Sequence, residues 1–318
     1  MVKADAYGLG AGPVARALQA AGARSFFVAL AEEGAALRAA LGPGPRIFIL
    51  GGLMTGDEPL FREHALIPCL DSPAQVARAL QAGDIACAVQ LDSGMNRLGL
   101  EPAELEALAP DLARLKPRLV MSHLACADEP QHPMNFRQRE AFLALAARLP
   151  GVPRSLAATG GVVLGPDFHF DLVRPGIGLY GGAPFGGARP VVRLDLPVIQ
   201  VREVAAGESV GYGAAWTAAR PSRIATLSAG YADGLIRAIG RAQGVQVFAG
   251  DQACPLVGRV SMDLVTVDVT DLAEVPPMLE ILGARQGVDD LAARAGTIGY
   301  EILTSLGPRY ERVYLGAA

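Results

Sequence analysis

Although apolar residues make up 51% of its 318 positions, this chain has no apolar run near the roughly 20 residues that a bilayer-spanning helix needs. Its apolar residues are scattered Ala, Val and Leu, which points away from a membrane partner. Basic excess is missing as well: the formal charge is −4 and charged residues reach only 19%. Such a surface offers no electropositive field for nucleic acid. The first residues do not show a charged segment followed by an apolar one, as a secretory signal would. Cysteine is sparse. Cys69, Cys87, Cys126 and Cys254 are far apart, with no CxxC and no partnering histidine pattern. They read as buried free thiols of a cytoplasmic protein, with no metal site.

Glycine, by contrast, is abundant. The 38 glycines exceed the usual ~7% and imply many tight turns and close backbone approaches. The first half alternates short β-like runs with Ala/Leu/Arg-rich helical stretches. Strands are predicted at 26–30, 47–50, 65–70, 87–91, 120–124, 155–158 and 171–175. Helices are predicted at 13–21, 32–41, 73–81, 102–115 and 135–149, several opening with a proline suited to the first helical position. Repeated βα units imply a parallel sheet covered by helices. Polar or glycine-rich residues follow nearly every strand, which favours a barrel over an open doubly wound sheet. Beyond about residue 190, β-branched alternation takes over (VVRLDLPVIQVREV, SRIATLSAG, VQVFAG), interrupted by helices at 289–296 and 297–306. That half reads as a mostly antiparallel β domain. The expected division is a barrel domain over 1–185 and a β domain over 186–318.

Nine strings in order carry a more specific signal: VKADAYGLG, VALAEEG, LDSGMNRLGL, SHLACADEP, FDLVRPGIGLYGG, VGYGAAW, GYADGLIRAIG, GRVSMD and AGTIGYEILTSLGPRY. On these the chain resembles alanine racemase over nearly its whole length. The resemblance implies an α/β fold: a pyridoxal-phosphate (PLP) binding (β/α)8 TIM-type barrel followed by the β domain. It also implies interconversion of L- and D-alanine for peptidoglycan, in a cytoplasmic homodimer with shared active sites.

By the same resemblance, Lys3 carries PLP as a Schiff base and serves one face of the substrate α-carbon. Tyr212 serves the other face, in the partner's site. Racemisation needs a group on each face, one removing a proton and one supplying it. Tyrosine as a type is a poor base at about pKa 10, and the resemblance places His123 beside this phenol and Arg174 beside His123. Tyr7, Thr159, Gly176, Ile177 and Tyr300 form the phosphate cup, where close backbone approach and oriented N–H groups suit an anion. Arg174 faces the pyridine nitrogen and, always protonated, can only donate to it. Arg97 contacts the cofactor's phenolic oxygen and the substrate carboxylate, and Met262 offers that carboxylate a backbone N–H. Asp128, Arg237, Arg259 and Ile298 match positions lining a substrate corridor.

The chain also departs from the family pattern. Gln90 stands where most members carry a lysine, often carbamylated, that orients the arginine. Ala158-Thr159 replaces an Asn-Ser pair, and the chain near 275–278 is a few residues shorter. Members place a whole barrel strand before the lysine, where this sequence has Met1 and Val2. The expectation is a barrel truncated at its N-terminus, lacking most of its first strand and open at two edges. Two alternatives accompany the racemase reading: a truncated, weakly PLP-binding remnant, and a racemase of broader amino-acid specificity. Gly8, Gly10 and Gly12 ahead of a helix, with Glu32 some way on, resemble a dinucleotide fingerprint, but their spacing is not GxGxxG.

Overall fold

The computed structural model describes residues 1–316 apart from Gln243. The chain forms two compact units, Met1–Gly176 with the C-terminal residues from Tyr314 onward, and Ile177–Val313.

In the first unit six strands lie side by side in chain order, all parallel: β1 (Ser25–Val28), β2 (Arg46–Ile49), β3 (Ile67–Leu70), β4 (Ala88–Gln90), β5 (Val120–Met121) and β6 (Arg154–Ser155). Parallel neighbours need a crossover, and helices supply it. The helices include Ala31–Leu41, Pro73–Ala82 and Met134–Ala146. The helix predicted over 102–115 is two, Pro102–Ala107 and Ala109–Leu115, because Pro110 lacks the N–H that would continue the first. Gly34 packs the helix Ala31–Leu41 onto the sheet: a Cβ there would lie 2.6 Å from Ile49 Cδ1. Phe27, Phe48, Ile67, Cys69, Ala88, Leu119 and Met121 form one buried cluster. The Phe27 and Phe48 rings stack at 4.6 Å within it. The inside of the sheet is thus a packed core rather than a pore.

The seventh predicted strand, 171–175, does not form a ladder. The N–H groups of Asp171 and Leu172 both donate to Arg154 O, and the Arg174 N–H donates to Ala157 O. Two donors sharing one acceptor break the register, and Pro175 has no N–H to restore it. Met1 and Val2 are not a strand either, yet they join both neighbours. Val2 N–H donates to Phe27 O at 2.9 Å, and Met1 N donates to Pro175 O at 3.0 Å. The gap expected beside Lys3 is spanned, and Val2 is 1% exposed.

Directly after Lys3 the backbone reverses its hand. Ala4, Asp5, Ala6 and Tyr7 have φ of 51°, 52°, 54° and 59°, a full turn of left-handed conformation in non-glycine residues. Each such residue costs roughly 1–2 kcal/mol, so the turn persists only where contacts hold it. Ala6 N–H donates to Val2 O, Gly10 N–H donates to Asp5 O, and Ala11 N–H donates to Asp5 Oδ1 at 2.6 Å.

The second unit is built on β7 (Leu194–Val204), β8 (Ser209–Val210), β9 (Trp216–Thr217), β10 (Ser222–Leu227), β11 (Gln246–Ala249), β12 (Gln252–Val257), β13 (Val265–Asp268) and β14 (Met278–Leu282). Six of these close an antiparallel barrel in the order β10-β13-β12-β11-β14-β7, and β8 and β9 form a separate ribbon. The 11-residue β7 pairs with β14 along its first half and with β10 along its second. Buried and less buried residues alternate along β13, as β-branched alternation predicts.

Candidate active site

Seven of the residues singled out in the sequence lie in the first unit, at the C-terminal side of its strands. Arg174 is the best fixed. It is 3% exposed, and its guanidinium lies 6.0 Å over the Phe27 ring. Its Nη1 donates to Ser155 Oγ at 2.5 Å, and Nη2 donates to the Ser122 and Leu156 carbonyls at 2.7 and 3.3 Å. Ser155 passes the contact on by donating to Leu172 O at 2.6 Å. All these acceptors are neutral. Burial without a counter-ion therefore lowers the Arg174 pKa, to about 10. Among the described residues no acceptor meets its Nε–H, so a donor remains for a ring nitrogen.

His123 follows β5 and sits in the same field. Burial first, then Arg174, Arg97 and Lys3, push its pKa down to about 3. It is a neutral imidazole at any ordinary pH. Its carbonyl accepts from Gln138 Nε2 at 2.9 Å, and Gln138 Oε1 accepts the Ala125 N–H at 2.8 Å. Ser93 and Ser122 share a hydrogen bond of 2.7 Å beneath it. The Lys3 ammonium is held below its ordinary range by burial and by Arg97, with Glu33 acting in the opposite sense. Lys3, Arg97, His123 and Arg174 thus form one electrostatic group of three cations and a neutral histidine.

Arg97 stands exposed on a loop closed at its base. Leu100 N–H donates to Gln90 O, and Asp92 N–H donates to Leu100 O. Asp92 Oδ1 accepts the Gly94 and Met95 N–H groups at 2.7 and 2.9 Å. Gly99, at φ 120°, lets the returning chain pass: a Cβ there would lie 2.6 Å from Asp92 N. Gln90 is buried and donates from Nε2 to Leu98 O at 3.3 Å. Among the described residues no carboxylate pairs with the Arg97 guanidinium.

Thr159 Oγ1 accepts the Gly176 N–H at 2.9 Å. A Cβ on Gly176 would overlap the Tyr7 phenol oxygen, so only glycine permits this approach. Thr159 and Tyr7 are both buried. A phenol and a hydroxyl are thereby gathered against the Gly176 backbone with no carboxylate among them, a polar setting suited to phosphate. With the remaining Arg174 donor and a lysine whose ammonium is disfavoured by burial and Arg97, these residues fit PLP.

Most of the other singled-out residues belong to the second unit. Ile177 is buried, whereas Tyr212, Met262, Tyr300 and Ile298 are 70%, 54%, 39% and 63% exposed. Tyr212 is presented by a short 3-10 turn, Tyr212–Ala214, between β8 and β9, with Gly211 and Gly213 at positive φ on either side. Arg259 lies against Gly213, 3.2 Å from a Cβ placed there. The Met262 carbonyl accepts the Ala232 N–H at 2.9 Å. Its own N–H donates to nothing among the described residues. Asp128 and Arg237 are exposed, Asp128 in the first unit and Arg237 in the second.

Sequence reading missed the supports. Ser122, Ser155, Ser93 and Gln138 hold Arg174 and His123, and a buried small hydroxyl at a strand end was the available signal. Scarcity was another: Lys3 is one of only two lysines in a chain with 28 lysines and arginines. A lysine amine can lose its proton where a guanidinium does not, and that is what a Schiff base needs.

Known proteins resemble this chain throughout its length. Residues 1–184 match the family model for the alanine racemase N-terminal domain, and residues 191–314 match that for the C-terminal domain. The chain is 61% identical to an alanine racemase of Cereibacter sphaeroides over 315 residues, 99% of this chain and 89% of that protein. Among solved structures it is similar to the alanine racemase of Bartonella henselae with covalently bound pyridoxal phosphate (TM-score 0.92, 38% identity, 99% and 91% of the two chains). The biosynthetic alanine racemase of Pseudomonas aeruginosa is also similar (TM-score 0.90, 41% identity, 98% and 90%).

Proposed function

The chain belongs to the alanine racemase family and is a PLP-dependent amino-acid racemase; we propose that Lys3 and Tyr212 are the two acid/base groups with which it interconverts L- and D-alanine. The observation that carries this reading is the grouping of Lys3, Arg97, His123 and Arg174 around one end of the parallel sheet. Their mutual electrostatic effects require closeness, although they come from four places in the sequence.

When bound, PLP draws the electron pair away from the substrate α-carbon. The chain's own residues do the rest. Tyr7, Thr159 and the Gly176 backbone would hold the phosphate, a role in which the resemblance also implies Ile177 and Tyr300. Arg174 would donate to the ring nitrogen and, still protonated at neutral pH although burial lowers its pKa to about 10, would leave that nitrogen unprotonated. Lys3, its ammonium destabilised by burial and Arg97, has an amine ready to hold the cofactor and to take or return a proton at the α-carbon. His123, neutral and so able to accept a hydrogen bond, relays toward Tyr212 on the opposite face. Arg97 and the free Met262 N–H bind the substrate carboxylate.

The enzyme works as a homodimer, with Tyr212 and Met262 serving the partner's site. Their exposure in their own unit supports this. It acts in the cytoplasm and supplies D-alanine for peptidoglycan, as the resemblance implies.

The test is borohydride reduction of the PLP-loaded protein followed by peptide mapping, combined with racemisation assays of Lys3→Ala and Tyr212→Phe. We expect the pyridoxyl label on Lys3, no racemisation by Lys3→Ala, and a loss of about 10²–10⁴-fold in Tyr212→Phe. A label elsewhere, or a Tyr212→Phe variant as active as the parent, overturns the assignment.

A further inference from the structure

Glu33 is the third residue of the helix Ala31–Leu41, the position from which a carboxylate reaches back to the helix start. One of its oxygens does so: Oε2 accepts the Ala29 and Leu30 N–H groups at 2.7 and 3.2 Å. The other points elsewhere. Oε1 accepts the Ala4 N–H at 2.7 Å, the first amide after Lys3 and the first residue of the left-handed turn. One carboxylate therefore ties the loop after β1 to the segment that carries Lys3. Charge-assisted bonds of this length are the strong kind, and Gly34 packs the helix behind them tightly against Ile49. The anchor is rigid and what it holds is strained. We propose that Glu33 is a positioning residue for Lys3, fixing the turn that aims its amine, and a negative charge matched to it.

This rests on the reading of Lys3 as the cofactor-bearing lysine. Glu33 also acts electrostatically to favour the Lys3 ammonium, against burial and Arg97. A helix cap alone would need only Oε2.

Glu33→Gln separates the two jobs. Its single carbonyl oxygen can keep the bonds to Ala29 and Leu30, which turns the amide nitrogen, a donor, toward the Ala4 donor. The cap survives while the Lys3 turn loses its partner. The test compares parent and Glu33→Gln holoenzymes by amide hydrogen exchange and steady-state kinetics. We expect exchange at residues 4–8 to quicken about tenfold or more, with β2 unchanged. We also expect kcat to fall about 10- to 100-fold, with KM changed by less than about threefold. Glu33→Ala, which removes both sets of bonds, quickens exchange in the helix as well.

Unchanged exchange at residues 4–8, or a parent-like kcat, overturns the proposal. Equal quickening across the whole first unit does the same, since that marks an ordinary helix cap. Absence of a pyridoxyl label from Lys3 in the parent would remove the Lys3 reading instead, and the exchange comparison would still decide whether Glu33 holds the turn.

Discussion

Arg174 of the first unit and Arg220 and Arg193 of the second are housed in opposite ways. In the first, Arg174 is buried against a serine hydroxyl and backbone carbonyls, and its affinity for its proton is lowered. In the second, Arg220 and Arg193 lie at the surface against Asp271 and Asp195, and theirs is raised. A surface ion pair neutralises its own charge and is screened by solvent. A buried cation held only by neutral dipoles keeps an outward field, which acts on neighbours such as His123. The first arrangement costs stability and shapes chemistry, whereas the second does little of either.

That contrast can be broken hardest at Ser155. Ser155→Ala removes the acceptor of Arg174 Nη1 and the donor to Leu172 O in one step. We expect about 1–3 kcal/mol of lost stability in urea unfolding, together with weaker PLP binding by spectroscopic titration. A variant that unfolds and binds like the parent would show the serine to be idle.

The outward field gives a second, smaller test. His123 has a folded pKa of about 3 against an ordinary 6.5, so below pH 6.5 the unfolded chain takes up a proton that the folded chain refuses. Stability therefore falls as pH drops from about 6.5 toward 3, by roughly 1 kcal/mol per pH unit from this group. It is fully present above pH 6.5. His123→Gln should flatten the slope of stability against pH between 4 and 6, and an unchanged slope refutes the assignment. The smallest effect belongs to the other unit. Asp271→Asn breaks an exposed pair and should move the thermal midpoint by no more than about a degree, with racemisation unaffected.

How much of this was legible in the sequence depended on whether the information was local. Six of seven predicted strands form, each within a few residues of its predicted place, because apolar runs and turn residues mark them directly. The segment 171–175 failed because its register depends on Arg154 and Ala157, which local pattern does not record. The site shows the same division. Lys3, Tyr7, Arg97 and Tyr212 stood out through their neighbours in the chain. The setting of Arg174 depends on Ser122, just past β5, and on Ser155 in β6, and that of Lys3 on Glu33, 29 residues beyond the Ala4 amide whose bond it accepts. No periodicity links those positions. The expected opening beside Lys3 was also misjudged, because two residues suffice to bridge it through single backbone hydrogen bonds at Val2 and Met1.

The turn after Lys3 has one more consequence. Its four residues adopt the shape that is ordinary for their mirror images, so the chain holds L-residues where D-residues would rest without strain. Ala4 is exposed, which leaves room for an inverted side chain. A semisynthetic chain with D-alanine at that one position should melt later than its all-L counterpart.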